Sequence, residues 1–278
     1  MSPSALVILF AFGLAIGSFL NVVATRYDGE HFLFGTKLIG GRSHCTHCKK
    51  TLRWFELVPL LSFLIQGGRC RRCKARLSVQ YPIVELISGI VFVSVPFALG
   101  VGAPMGVATV AVTPIIAAAL WIAILEALLV MSLVDVRLGI IPDEINIFLG
   151  VAGIALAIFS AGSAGGQEGV VLAKIIGAAV AGVFFTLLIA VTRGKGMGVG
   201  DLKLAIPLGL IFGWPDIVLV LMLSFVIGAI AGLFAIARGK NTIKGTLPFG
   251  PFLALGGAIV FFWGSQIFNW YFSLIGLR

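Results

Sequence analysis

Gly196-Met197-Gly198-Val199-Gly200-Asp201-Leu202-Lys203-Leu204-Ala205-Ile206-Pro207-Leu208-Gly209-Leu210-Ile211-Phe212 decides how the chain is threaded. Its second half, Leu202 to Phe212, is apolar but short for a hydrocarbon core of ~30 Å, which takes ~20 residues to cross. Trp214-Pro215 then ends it. Counting this run as a span, or leaving it out, inverts the orientation of everything after it. The first half sets a carboxylate behind three glycines at the boundary of an apolar run. An acid in that position is costly unless it faces water or a partner, so Asp201 is a functional-site candidate. The same residues also suit a turn followed by a helix N-cap. Glycines leave the backbone unshielded and permit positive φ, which makes Gly196, Gly198 and Gly200 candidates for the close approach of a substrate chain.

Outward from this stretch, apolar runs cover residues 5–25, 82–100, 112–134, 145–161, 170–192, 217–237 and 249–275. With the short run that makes eight. Hydrophobic residues are 59% of the 278 and charged residues 11%, too few charges to clothe a soluble globule. The first run has no basic residue before it and Arg26 just after it, the reverse of a secretory signal, so it is a retained first helix with its N-terminus outside. Eleven of the 20 Lys and Arg lie between Arg26 and Arg76. With eight crossings, that segment, Arg137, the Arg193/Lys195/Lys203 turn and the Arg238/Lys240/Lys244 turn all fall inside, leaving only Lys174 and Arg278 outside. The expected fold is an all-α polytopic membrane protein of about eight transmembrane helices, with a small cytoplasmic zinc-binding segment after the first helix. Its parts are a first helix at 1–25, a cysteine segment at 26–81 and a transmembrane domain at 82–278. The basic excess suits anionic inner-membrane lipid, and no aromatic-basic interleaving points to nucleic acid.

The polar segment holds all four cysteines, in Cys45-Thr46-His47-Cys48 and Cys70-Arg71-Arg72-Cys73. Two Cys-x-x-Cys knuckles at this separation suit a four-thiolate zinc site, which would staple a segment too small to build its own core. Disulfides are the rival, but the positive charge puts the segment in the reducing cytosol. Four thiolates leave no open position for water, so such a zinc is structural. His47 is a bystander in this scheme.

If Asp201 does chemistry it needs a second group, and Asp135 in Leu133-Val134-Asp135-Val136-Arg137 also ends an apolar run at the inner face. Two carboxyls close together share a proton, one activating water while the other polarises a carbonyl. Other acids fit less well. Glu126 lies on the opposite helix face, Glu85 suits the first turn of a helix opened by Pro82, Asp143 suits an N-cap, and Asp216 falls on the outer side. Lys203 either salt-bridges the site or marks the inner boundary.

These residues resemble the bacterial type 4 prepilin peptidases. The likeness runs through Gly17-Ser18-Phe19-Leu20-Asn21, the knuckles with Trp54-Phe55-Glu56 between them, Tyr81-Pro82-Ile83-Val84-Glu85, Asp135 to Asp143, Gly198 to Leu204 and Pro248-Phe249-Gly250-Pro251-Phe252. The resemblance implies a membrane-embedded aspartic endopeptidase that removes the short basic leader of type IV prepilins or type II secretion pseudopilins. The cut falls after a glycine, at the cytoplasmic face of the inner membrane. It further implies N-methylation of the new N-terminal residue with S-adenosylmethionine, catalysis by Asp135 and Asp201, and metal binding by Cys45, Cys48, Cys70 and Cys73. No dinucleotide-type glycine fingerprint marks a site for S-adenosylmethionine. Two other functions compete: a different Gly-x-Gly-Asp intramembrane protease without methyltransferase activity, and a proton- or cation-coupled transporter using the same acids.

Overall fold

A computed structural model describes residues 1–101, 112–163, 168–194, 196–238 and 247–274. Lys195, Lys240, Lys244 and Arg278, whose charges enter the orientation argument, lie outside the described residues, as does Ile275. The regular structure is helical: α1 (Pro3–Arg26), α2 (Thr36–Ile39), α3 (Leu61–Ile65), α4 (Gln80–Ala98), α5 (Val112–Leu138), α6 (Asp143–Ser163), α7 (Glu168–Thr192), α8 (Val199–Phe212), α9 (Asp216–Ala237) and α10 (Gly250–Leu274). Seven of these, α1, α4, α5, α6, α7, α9 and α10, are long and apolar enough to cross a bilayer. The protein is an all-α polytopic membrane protein. The eighth apolar run forms α8, whose 14 residues reach only ~21 Å at ~1.5 Å each. Two compact units divide the chain, Met1–Glu126 and Ala127–Arg278.

In the first unit α1 starts at the Ser2 cap, whose hydroxyl accepts the Ala5 N–H at 3.3 Å, with Pro3 at the position where a missing donor costs nothing. α1 packs on α4 along Gly13 and Gly17. A Cβ on Gly13 would lie 2.8 Å from the Gly89 Cα, and one on Gly17 would lie 2.7 Å from the Ser88 Cβ, so only glycine permits this approach. Ser88 Oγ crosses the contact and donates to the Gly13 carbonyl at 2.7 Å. Asn21 is fully buried; its Nδ2 donates to the Tyr81 carbonyl at 3.2 Å and its Oδ1 accepts from Gln80 Nε2 at 3.3 Å. The end of α1 is thereby pinned to the start of α4, and the cysteine segment is the excursion between them.

In the second unit the shortest long helix is the innermost. Leu204, Ala205, Leu208 and Ile211 of α8 are completely buried, with α6 and α7 on either side. The α7 and α8 backbones touch: a Cβ on Gly177 would lie 2.5 Å from the Gly209 carbonyl, and one on Gly209 would lie 2.5 Å from the Ala178 Cα. Gly213 ends α8 with φ +76, a conformation that favours glycine. Lys174 Nζ of α7 donates to the Ile211 carbonyl, one of the acceptors left open at the end of α8. A helix wrapped in protein in this way does not have to match the bilayer thickness by itself.

Candidate active site and metal centre

Asp135 stands in the last turn of α5 and is 5% exposed. Its Oδ2 accepts the Gly250 N–H at 3.0 Å. Gly250 opens α10, so this amide is one of the unpaired donors of a helix N-terminus, where the positive end of the helix dipole also favours an anion. A Cβ on Gly250 would lie 2.6 Å from Asp135 Oδ2 and 2.8 Å from Met131 Sδ, so any other residue here must displace the acid or the methionine from its present position. Asp201 is the third residue of α8 and half-buried. Its Oδ2 accepts the Gly198 N–H at 3.1 Å, while its own N–H donates to the Gly198 carbonyl at 3.2 Å. The helix-cap geometry that the stretch suggested is therefore present, and the capping carboxylate also interacts electrostatically with Asp135.

Two ties hold the segments that carry them. Gly139, at φ +68, closes α5 by donating its N–H to the Asp135 carbonyl at 2.8 Å, and Ile140-Ile141-Pro142 lead into α6. Ile141 sits against Gly200, where a Cβ would find it at 3.6 Å. Lys203 Nζ donates to both oxygens of Asp143, at 2.8 and 3.1 Å. Lys203 thus makes a salt bridge, and Asp143 is the first residue of α6. Gly196 and Gly198 are exposed, and the backbone hand of the three candidate glycines is ordinary; the positive φ values of this turn belong to Arg193 and Gly194. Gly196 and Gly198 thus present exposed backbone, whereas Gly200 is partly covered by Ile141.

The other acids weighed in the sequence have surroundings of their own. Glu126 is buried, and Asp216 opens α9 within the field of Lys174. Glu85 departs from the first-turn expectation because α4 begins at Gln80, which leaves no acid in its first turn. It lies one turn further in, buried, with Oε2 accepting the Leu60 N–H at 2.8 Å. Gly250 is the participant that sequence reasoning did not single out. Its signal was the Pro248-Phe249-Gly250-Pro251 start of a helix, which says nothing of the distant acid that its amide would meet.

In the first unit the sulfurs of Cys45, Cys48, Cys70 and Cys73 all lie within 4.8 Å of one another. A tetrahedral zinc with Zn–S of ~2.3 Å has sulfurs ~3.8 Å apart, and Cys45 and Cys73 are separated by 3.8 Å. That is far beyond a disulfide bond of ~2.05 Å. The two knuckles are built alike. Cys45 N–H donates to the Lys50 carbonyl at 3.0 Å and Cys70 N–H to the Ala75 carbonyl at 2.8 Å. Lys49 N–H returns to the Cys45 carbonyl and Lys74 N–H to the Cys70 carbonyl, both at 2.9 Å, with Lys49 and Lys74 at φ +56 and +60. Backbone N–H groups of Cys73 and Arg72 bring the Cys70 thiol down to about 7, while burial and the neighbouring sulfurs push the Cys73 thiol up to about 11, so without a cation the cluster favours ionising Cys70 only. The four cysteines could hold one tetrahedral ion, and the donor set fits zinc.

Two family models match the chain. The model of the bacterial peptidase A24 N-terminal domain matches residues 11–99, and that of the type IV leader peptidase family matches residues 121–233. A protein of Burkholderia pseudomallei (strain 1026b) is 34% identical over 293 residues, covering 96% of this chain and 88% of its own. A Bacillus subtilis (strain 168) protein is 30% identical over 267 residues, covering 96% and 98%. Both are named prepilin leader peptidase/N-methyltransferase, as is a protein of Aeromonas hydrophila that is 31% identical over 285 residues, covering 96% and 93%. The chain belongs to the type IV leader peptidase family. No solved structure matches it significantly. Asp135 and Asp201 both lie in the segment matched by the leader peptidase model, and the cysteine knuckles lie in the segment matched by the N-terminal model.

Proposed function

We propose that the protein removes the short basic leader from type IV prepilins or type II secretion pseudopilins and then N-methylates the new N-terminal residue. Asp135 and Asp201 act as the catalytic pair. The observation that supports this is the electrostatic interaction between two acids from distant helices, each accepting a backbone N–H at a helix start. Like charges so placed are not both ionised cheaply, so one acid holds a proton and donates it to the scissile carbonyl oxygen. The other, ionised, takes a proton from water as the water oxygen adds to the carbonyl carbon. Collapse of the tetrahedral species breaks the C–N bond, and the departing amine takes up a proton. Exposed Gly196 and Gly198 leave room beside Asp201 for an extended substrate.

The active site and the cysteine segment face the cytoplasm in this proposal, supported by the basic residues between Arg26 and Arg76 and by Arg137, Arg193 and Lys203. A prepilin is a transmembrane helix preceded by a charged leader, so its scissile bond lies at the depth of such a site in the inner membrane. Residues 26–81 form the zinc segment and 82–278 the peptidase domain. Cys45, Cys48, Cys70 and Cys73 hold a structural zinc, since four thiolates leave no position for a reacting water. S-adenosylmethionine, when bound, supplies an electrophilic methyl group to the new amine.

Mass spectrometry of a purified prepilin incubated with enzyme and S-adenosylmethionine tests the whole proposal by reading the cut and the added methyl group together. Asp135→Asn and Asp201→Asn are each expected to abolish the cut while leaving metal content unchanged. Substantial cleavage by either variant sinks the pair.

A further inference from the structure

The first unit contains a cavity of about 720 Å3 beside the metal centre, between the end of α1, the start of α4 and the cysteine segment. Sites for cofactor-sized molecules span ~300–1,000 Å3. Its wall includes Glu56, Phe63, Arg76, Tyr81 and Glu85. Glu85 is the unusual member. It is a carboxylate only 6% exposed, and its one hydrogen bond among the described residues is the Leu60 N–H at 2.8 Å. No Lys, Arg or His among the described residues forms an ion pair with it. A buried anion without a cation is costly, and the chain keeps this one in place by two further constraints.

The first constraint is packing. A Cβ on Gly17 would lie 2.9 Å from the Glu85 Cα, so the backbone carrying the acid is pressed against α1 and cannot withdraw. The second is strain. Leu60 has φ +57 and ψ −51, and Leu61 N–H donates across it to the Pro59 carbonyl at 2.6 Å. This is a γ-turn of the rare, strained hand, held by a non-glycine residue. Its effect is to aim the Leu60 amide at the Glu85 carboxylate. A fixed, buried anion in the wall of a cavity, maintained at the expense of backbone strain, is suited to a cationic ligand.

We propose that this cavity binds S-adenosylmethionine, with the Glu85 carboxylate as counter-charge to the sulfonium. The assignment rests on the methyltransferase part of the proposed function. The other walls suit the remainder of the molecule: Phe63 and Tyr81 offer aromatic faces for a purine, Glu56 an acceptor for ribose hydroxyls, and Arg76 a cation for the methionine carboxylate.

The test is binding, measured by calorimetry on the full-length, metal-loaded protein in detergent. Glu85→Gln keeps an oxygen for the Leu60 amide and removes the charge; retained metal and an unchanged melting temperature report its folding. S-adenosylmethionine binding should weaken roughly tenfold or more in the variant. S-adenosylhomocysteine, which lacks the sulfonium, should lose much less. Equal S-adenosylmethionine affinity in variant and wild type overturns the assignment while leaving the methyltransferase reading intact; no binding by wild type overturns both. As a second measurement, independent of any variant, ultraviolet crosslinking of S-adenosylmethionine to the wild-type protein should label peptides within residues 43–85. Label confined to residues 127–278 overturns the proposal.

Discussion

Gly250 makes the sharpest residue-level prediction, because its amide and its missing side chain serve the same acid. Gly250→Ala puts a methyl group 2.6 Å from Asp135 Oδ2, so either the carboxylate or the start of α10 must shift. Overpacking of this kind costs about 1–3 kcal/mol, and an ångström of displacement at a catalytic group can cost roughly 100-fold in rate. The expected outcome is a folded variant whose leader cleavage falls by about that factor, measured by gel shift of a prepilin. Lys203 and Asp143 differ in kind. Their side chains are 51% and 64% exposed, and exposed pairs contribute about 0–1 kcal/mol. Lys203→Met should therefore lower the denaturation midpoint only slightly, and a loss of several kcal/mol would show that the bridge bears on the fold of α8. Asp135 and Asp201 stood out in the sequence as candidates because acids at the ends of apolar runs are conspicuous. Gly250 was not, because a hydrogen bond to a residue 115 positions away leaves no local pattern.

Among the elements, α8 departs most from what its sequence suggests. Hydropathy finds Leu202 to Phe212 but cannot say what covers it. In the fold α6 and α7 do so, and the contact with α7 depends on Gly177 and Gly209 meeting backbone to backbone. Gly209→Val should separate the two helices and lower stability by more than the 1–3 kcal/mol typical of overpacking, because the obstacle is main chain and cannot rotate away. Thermal unfolding in detergent checks this, and an unchanged midpoint would mean that the two helices do not touch. The same close packing by small residues joins α1 to α4 through Gly13 and Gly17, where the sequence showed only glycines inside a span, a common feature of membrane helices. The knuckles contrast with both cases. Their Cys-x-x-Cys spacing alone predicts convergence, since each short loop brings two sulfurs together and only one further approach is needed.

At the scale of the whole molecule, each of the seven long apolar helices has well under half of its apolar window buried. Only 17% of the apolar window of α7 is buried and 28% of that of α9, so these helices spend their hydrophobicity on lipid and hold together by close packing. The cysteine segment has no such support, and under the proposed function a metal held by its four cysteines stands in for a core. Replacing Cys45 and Cys70 together should release the ion, assayed by metal analysis, and impair methylation before it impairs leader cleavage. Parallel loss of both activities would instead make the metal a general folding staple.

The sequence by itself determined the class of protein, the positions of the long apolar helices, and the candidate status of the two acids and the four cysteines. Each of these is written in composition or in spacing of a few residues, where hydrophobicity, charge and short-loop geometry act locally. Tertiary structure alone decided that α8 is sheathed by protein, that the N-terminus of α10 supplies the amide on Asp135, and that Glu85 faces a cavity from a buried position. Those outcomes depend on which helix faces meet, and that choice is made by steric fit between segments far apart in the chain, at glycines whose significance appears only when another backbone lies against them.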